Sequence, residues 1–145
     1  MFVIRIAAAL IVDGADRVLL VRKRGTTRFM QAGGKIEASE SPEAAVVREL
    51  EEEVGLRVNP WALDYLGRFT ALAANEDGHE VDAEVFFLAV DAEAAPAAEI
   101  EEMVWVSCED ALDLSLAPLT RDILLPLLVA RLASGDVAPR HKALS

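Results

Sequence analysis

Three observations predict an α+β fold, a β-sheet covered by helices within one domain spanning residues 1–145. Runs rich in β-formers and helical patterns follow one another in the order β-rich, helix, β-rich, helix. A length of 145 residues with 53% hydrophobic content suits one core and leaves no room for two. No internal repeat or low-complexity linker divides the chain.

The elements follow in order. Two apolar runs, Phe2 to Val12 and Val18 to Val21, flank Asp13-Gly14-Ala15-Asp16, turn residues that read as a hairpin. A basic, polar loop comes next, Arg22-Lys23-Arg24-Gly25-Thr26-Thr27-Arg28. Gln31-Ala32-Gly33-Gly34 carries so little side-chain bulk that its backbone can approach a ligand closely. Ser41 is suited to cap a helix with Pro42 at its first position, and Gly55 to stop it. Between them Ala45, Val46, Leu50 and Val54 form an apolar stripe at helical spacing.

Further on, Leu63 to Ala74 is strand-like, Asn75-Glu76-Asp77-Gly78 a turn, and Val81 to Val90 a half-buried strand. Ala92 to Glu102 reads as a long loop and Val104-Trp105-Val106 as a short strand. Leu119 to Ser134 is a second helix, with a bend or end expected near Pro126.

Composition excludes several classes of function. The 14 Lys and Arg against 25 Asp and Glu give a net charge of −11. That balance speaks against a nucleic-acid polymer as partner, and against an anionic membrane surface. The charge is uneven. Residues 1–71 hold ten basic and ten acidic side chains, whereas between Phe69 and Thr120 there are thirteen acids and no Lys or Arg. Most of that middle stretch reads as a solvated acidic face. Cys108 is the single cysteine, so a disulfide-stapled secreted scaffold is excluded. The run Ile6 to Val12 has one preceding charge, Arg5, and no convincing cleavage site, so a buried strand is expected rather than a signal sequence. No apolar run reaches the length of a membrane span, and a cytoplasmic location is the expectation.

The chemistry gathers on the first helix. Glu49, Glu52 and Glu53 stand at i, i+3 and i+4, so their carboxylates share one face. At such separations each pair repels by about 3 kcal/mol at an effective dielectric near 20, and the cluster invites a cation. Hard oxygen ligands suit Mg²⁺, or Mn²⁺ as an alternative. Taken alone, the three residues favour a solvated acidic face balanced by Arg48–Glu52 pairing.

Their flanks decide between these readings. From Gly34 the chain runs five residues to Glu40, then seven to Arg48-Glu49-Leu50-Glu51-Glu52-Glu53-Val54-Gly55-Leu56. This is the complete pattern G-x5-E-x7-R-E-U-x-E-E-x-G-U, with U aliphatic, over residues 34–56. The sequence therefore resembles the Nudix hydrolases, most closely the MutT-like nucleoside-triphosphate pyrophosphohydrolases. The opening hairpin, the basic residues after it, Gly33-Gly34-Lys35 and the Glu-rich loop before Trp105 extend the resemblance over most of residues 1–107. It implies a Nudix fold, a mixed β-sheet sandwiched between helices.

The resemblance also implies roles. Glu49, Glu52 and Glu53 would ligate metal, with the Gly33 carbonyl oxygen as a further ligand. Arg48 would orient Glu49, and Glu40 would help hold the loop against the helix. Arg22, Lys23, Arg28 and Lys35 would meet substrate phosphates. A carboxylate outside the box serves as ligand or base in this family, and Glu99 is the first choice here, Glu102 the second. Ala32 stands where the family commonly has Pro and Ser39 where it commonly has Gly. Neither change removes a ligand, so altered loop stiffness is expected rather than lost activity.

The reaction implied is hydrolysis of a nucleoside diphosphate linked to another group, with a (d)NTP giving NMP and pyrophosphate. Residues Ala71 to Ala74 lack the Pro and the Tyr that mark ADP-ribose and dinucleoside-polyphosphate hydrolases. Those substrates stay as alternatives, as does a catalytically silent nucleotide sensor. A small-molecule nucleotide is the expected partner, and homodimer formation is left open.

Overall fold

The computed structural model describes residues 2–135 and Leu144. Arg140 and Lys142 lie outside them. Six strands form one mixed sheet: β1 (Phe2–Val12), β2 (Arg17–Lys23), β3 (Met30–Lys35), β4 (Asp64–Leu72), β5 (His79–Ala89) and β6 (Ile100–Ser107). Their spatial order is β4-β5-β1-β3-β2-β6. Helix α1 (Pro42–Val54) covers one face; α2 (Cys108–Ala111), a π-helical turn (Thr120–Leu124) and α3 (Leu125–Ser134) cover the other. The α+β sandwich expected from the sequence is present.

From Ala7 to Val12 strand β1 is wholly apolar because both its faces are covered there. Ala7, Ala9 and Ile11 pack under α1, while Leu10 and Val12 pack under α3. It runs parallel to β5 along its whole length, from Phe2 opposite His79 to Val12 opposite Ala89. The predicted hairpin closes at Val12 opposite Val18, but β3 inserts beside β1 beyond that point, with Ala9 opposite Ala32 and Ile6 opposite Lys35.

Met30–Lys35 is thus a central strand, a segment read from sequence only as lacking side-chain bulk. Its two glycines and alanine gave no β-signal, yet they are what the position needs. A Cβ on Gly33 would stand 2.2 Å from the Ala7 carbonyl oxygen, and φ there is +143°. Small residues on both strands let α1 settle close against the sheet.

Helix α1 begins and ends where expected. Ser41 accepts from the Ala44 N–H at 3.1 Å, and Gly55 takes the left-handed conformation at φ 71°. Ala45, Val46, Leu50 and Val54 are wholly buried, and each buried Val or Leu stabilises by about 1.5–3 kcal/mol. Strand β6 starts at Ile100, earlier than read, because it pairs with β2 from Lys23 to Arg17. Pro126 sits in the first turn of α3, directly after the π-helical turn. Asp82, an alternating acid of β5, is buried and held by Arg68 of β4. Among the described residues no helix is long and apolar enough to cross a membrane.

Candidate active site

Close packing of α1 on β3 creates the site. Glu53 is buried, and its Oε1 accepts from the Gly33 N–H at 2.9 Å. A Cβ on Gly34 would lie 2.5 Å from the Glu49 carboxyl carbon, so only glycine leaves Glu49 its place. The paired glycines therefore do different work: one admits a neighbouring strand, the other a carboxylate.

Arg48 ties the preceding loop to the helix. It grips Glu40 with two bonds, Nε to Oε2 at 2.8 Å and a terminal nitrogen to Oε1 at 3.0 Å. It donates further to Glu49 Oε1 at 2.9 Å and to the Lys35 carbonyl at 3.0 Å. Its contact with Glu52, the pairing a merely solvated face would need, is longer at 3.4 Å. The Arg48 bonds, with help from the Glu37 N–H, hold the Glu40 carboxyl at about 2, far below the usual carboxylate range. Ser39, in the same loop, is left-handed at φ 69°. That conformation is why a glycine would be at ease there.

The loop after β5 brings in the outside carboxylate. Ala95 and Ala97 donate to the Val54 and Glu53 carbonyls at 3.1 and 2.9 Å, satisfying acceptors at the end of α1. Ala98 then turns through φ 53°, and the Glu99 carbonyl accepts from Arg24 at 2.7 Å. Glu99 is thereby fixed across from α1.

A cleft of about 460 Å³ results, lined by Lys23, Gly34, Lys35, Glu49, Glu52, Glu53, Glu76, Ala98 and Glu99. Burial pushes the Glu53 carboxyl up to about 7; the Gly33 bond and Lys23 oppose this, and Glu49 and Glu99 reinforce it. A buried carboxyl among other carboxylates is a place where a cation relieves both desolvation and repulsion. Among the described residues, no three such groups are gathered tightly enough to hold an ion as they stand. The donor chemistry, hard oxygens facing one cleft, nevertheless fits Mg²⁺ or Mn²⁺.

Of the residues singled out from sequence, Glu49, Glu52, Glu53, Glu99, Lys23 and Lys35 come together in this cleft. Arg22 does not line it: it pairs with Glu102 at 2.7 Å and bonds the Thr26 carbonyl at 2.7 Å. That pairing also turns Glu102 to another task. Arg28 and Gly33 are likewise absent from its walls, and Gly33 instead borders a smaller neighbouring pocket. Glu76, from the turn between β4 and β5, was not foreseen. Only the sheet order, which places β5 beside β1, carries it there.

The NUDIX domain family matches residues 3–127 of the chain, which therefore belongs to that family. A CTP pyrophosphohydrolase of Escherichia coli K12 is 31% identical over 146 residues, covering 96% of this chain and 98% of that protein. An octanoyltransferase of Myxococcus xanthus is 43% identical over 101 residues, 67% of this chain, but the match spans only 28% of its length. Among solved structures, a MutT NUDIX hydrolase from Burkholderia pseudomallei superposes with a TM-score of 0.73 at 26% identity, covering 87% of this chain and 98% of that one. The chain is thus a hydrolase of phosphoric anhydrides with a MutT-like Nudix fold.

Proposed function

We infer that this chain hydrolyses a nucleoside triphosphate, ribo or deoxy, to the monophosphate and pyrophosphate, with Mg²⁺ or Mn²⁺ as the metal. The observation that carries this reading is the single cleft in which Glu49, Glu52, Glu53 and Glu99 meet Lys23 and Lys35. The near full-length similarity to a CTP pyrophosphohydrolase supports it.

Bound among Glu49, Glu52 and Glu53, the cation would neutralise charge on adjacent phosphoryl groups and help activate water. The chain's own groups do the rest. Lys23 and Lys35 bind the phosphate oxygens, and Arg48 keeps Glu49 aimed into the cleft. Water adds its oxygen to one phosphorus as the bridging P–O bond breaks, and the released proton passes to a carboxylate. Glu99 and Glu53 both face that space and are placed to take it.

The test is Glu52→Gln. Turnover of nucleoside triphosphates falls by at least about 100-fold, as expected when a ligand or base is removed, while the folded far-UV signal is retained. Undiminished turnover would refute the assignment. Nucleotide binding without any product in wild-type protein would instead favour a sensor.

A further inference from the structure

Lys23 reaches the cleft from the last position of β2, and the chain leaves the sheet directly after it. The pairing with β6 slips at this point. Arg22 stands opposite Glu102 but Lys23 opposite Ile100, which leaves Glu101 as the extra residue of a β-bulge. Bulges beside a site re-aim side chains, and they also interrupt the ladder that holds the backbone. Beyond Lys23 the chain turns at once: the Thr26 N–H donates to the Lys23 carbonyl at 3.1 Å, and Gly25 takes a left-handed φ of 78°. A strand end with so few ladder bonds of its own needs another restraint to keep a lysine aimed into the cleft.

Arg22 supplies that restraint. Its Nε donates to Glu102 Oε1 at 2.8 Å, with a terminal nitrogen 2.7 Å from the same oxygen. The other terminal nitrogen donates to the Thr26 carbonyl at 2.7 Å. Thr26 in turn donates from its hydroxyl to the Lys23 carbonyl at 2.7 Å. The rigid guanidinium fork therefore braces β6 against the turn, and the turn grips the Lys23 backbone. The opposite wall hangs on the same turn, since the Arg24 N–H donates to the Glu99 carbonyl at 2.7 Å.

We propose that Arg22 is a positioning residue for the hydrolysis. It touches no phosphate; by spanning Glu102 and the Thr26 carbonyl it fixes Lys23 where the phosphate chain lies. Glu102 is its anchor. This deepens the pyrophosphohydrolase reading of the cleft and rests on it. The brace differs in sign from direct phosphate binding by Arg22. In that case Glu102 would compete with substrate for the guanidinium, and removing Glu102 would tighten binding. For a brace, removing Glu102 loosens it.

Steady-state kinetics of the full chain in Mg²⁺, with the fastest of CTP, UTP, ATP and GTP, test the proposal. Arg22→Met and Glu102→Ala each raise KM at least about fivefold with kcat nearly unchanged, the pattern of binding shared by ground and transition states. The double variant is no worse than Arg22→Met alone, because both changes remove one brace. In a Lys23→Met background either change adds less than about twofold. Glu102→Gln, which keeps the accepting oxygen, restores KM to within about twofold of wild type. Inorganic tripolyphosphate, a competitor with no base or sugar, loses inhibition by the same factor as KM rises. The Glu102 side chain is 53% exposed, so its variants keep the fold and carry the test should Arg22→Met not fold.

An unchanged or lowered KM in Glu102→Ala, losses that multiply in the double variant, or an undiminished Glu102→Ala effect in the Lys23→Met background would overturn the inference alone. So would a Glu102→Gln loss equal to that of Glu102→Ala, or tripolyphosphate inhibition that the variants leave unmoved. A wild-type chain that neither turns over nor binds any nucleotide would remove the cleft reading and this inference together.

Discussion

Replacing each of the paired glycines by alanine separates the needs of the fold from those of the site. In Gly33→Ala the new Cβ meets backbone, 2.2 Å from the Ala7 oxygen and 2.8 Å from the Ala8 Cα, at a φ of +143°. Neither strand can yield without breaking the β1–β3 ladder. Strain of about 1–3 kcal/mol adds to the lost ladder bonds at about 1 kcal/mol each. A loss of roughly 3–5 kcal/mol follows, a large share of the 5–15 kcal/mol typical of a whole domain. In Gly34→Ala the three atoms nearest the Cβ all belong to the Glu49 carboxylate, at 2.5–2.8 Å. That side-chain end swings aside at a cost of about 1 kcal/mol or less, but it leaves the Arg48 bond now at 2.9 Å. Turnover should drop by at least about 100-fold, equivalent to some 2.7 kcal/mol. Urea unfolding followed by circular dichroism, paired with pyrophosphate release, reads both quantities. Equal destabilisation of the two variants, or a fully active Gly34→Ala, would refute the reasoning.

Other outcomes follow from the same contacts. Because Glu53 titrates at about 7 when folded against 4.5 ordinarily, its contribution to metal-free stability is full below about pH 4.5 and is lost as pH rises through about 7. At 1.36 kcal/mol per pH unit the decline is about 3 kcal/mol over that window. Urea midpoints in EDTA should show it and Glu53→Gln should abolish it; an unchanged slope in that variant would contradict the burial argument. Glu40 is opposite in sign: held at about 2, it stabilises above the ordinary carboxylate range and loses this as pH falls toward 2. Acid titration of Glu40→Gln should therefore be shallower over that window, and an identical curve would count against the Arg48 clamp. Ser39→Gly should relieve a left-handed strain of about 1–2 kcal/mol less the chain entropy of glycine, about 0.5–1 kcal/mol. A small rise in thermal midpoint with unchanged kcat is expected, and a lower midpoint would speak against strain at Ser39.

Much of the site was legible because its chemistry is local. One helical turn carries Glu49, Glu52 and Glu53, and fixed spacings tie them to Gly34, Glu40 and Arg48. The two edges of α1 were equally plain, since Ser41, Pro42 and Gly55 each have a conformational role that any sequence displays. Long-range pairing was less visible. Gly33 and Gly34 carry no strand propensity, so β3 shows itself only once β1 needs a neighbour with no side-chain bulk. Arg22 and Lys23 are adjacent and equally basic, but alternation along β2 sends one to Glu102 and the other to the cleft. Glu76 depends on sheet order, and no local pattern marks it. The charge split has a structural counterpart: the acidic middle of the chain returns Glu76 and Glu99 to a site otherwise built from its balanced first half.

The central claim is that this cleft cleaves a nucleoside triphosphate between its α and β phosphates with a divalent cation. Chromatography of the products formed from CTP, UTP, ATP and GTP, with Mg²⁺, with Mn²⁺ and with EDTA, tests it most directly. The account predicts monophosphate and pyrophosphate in equal amounts from at least one substrate with either metal, and nothing in EDTA. Diphosphate with inorganic phosphate as the products, or turnover that persists in EDTA, would contradict it.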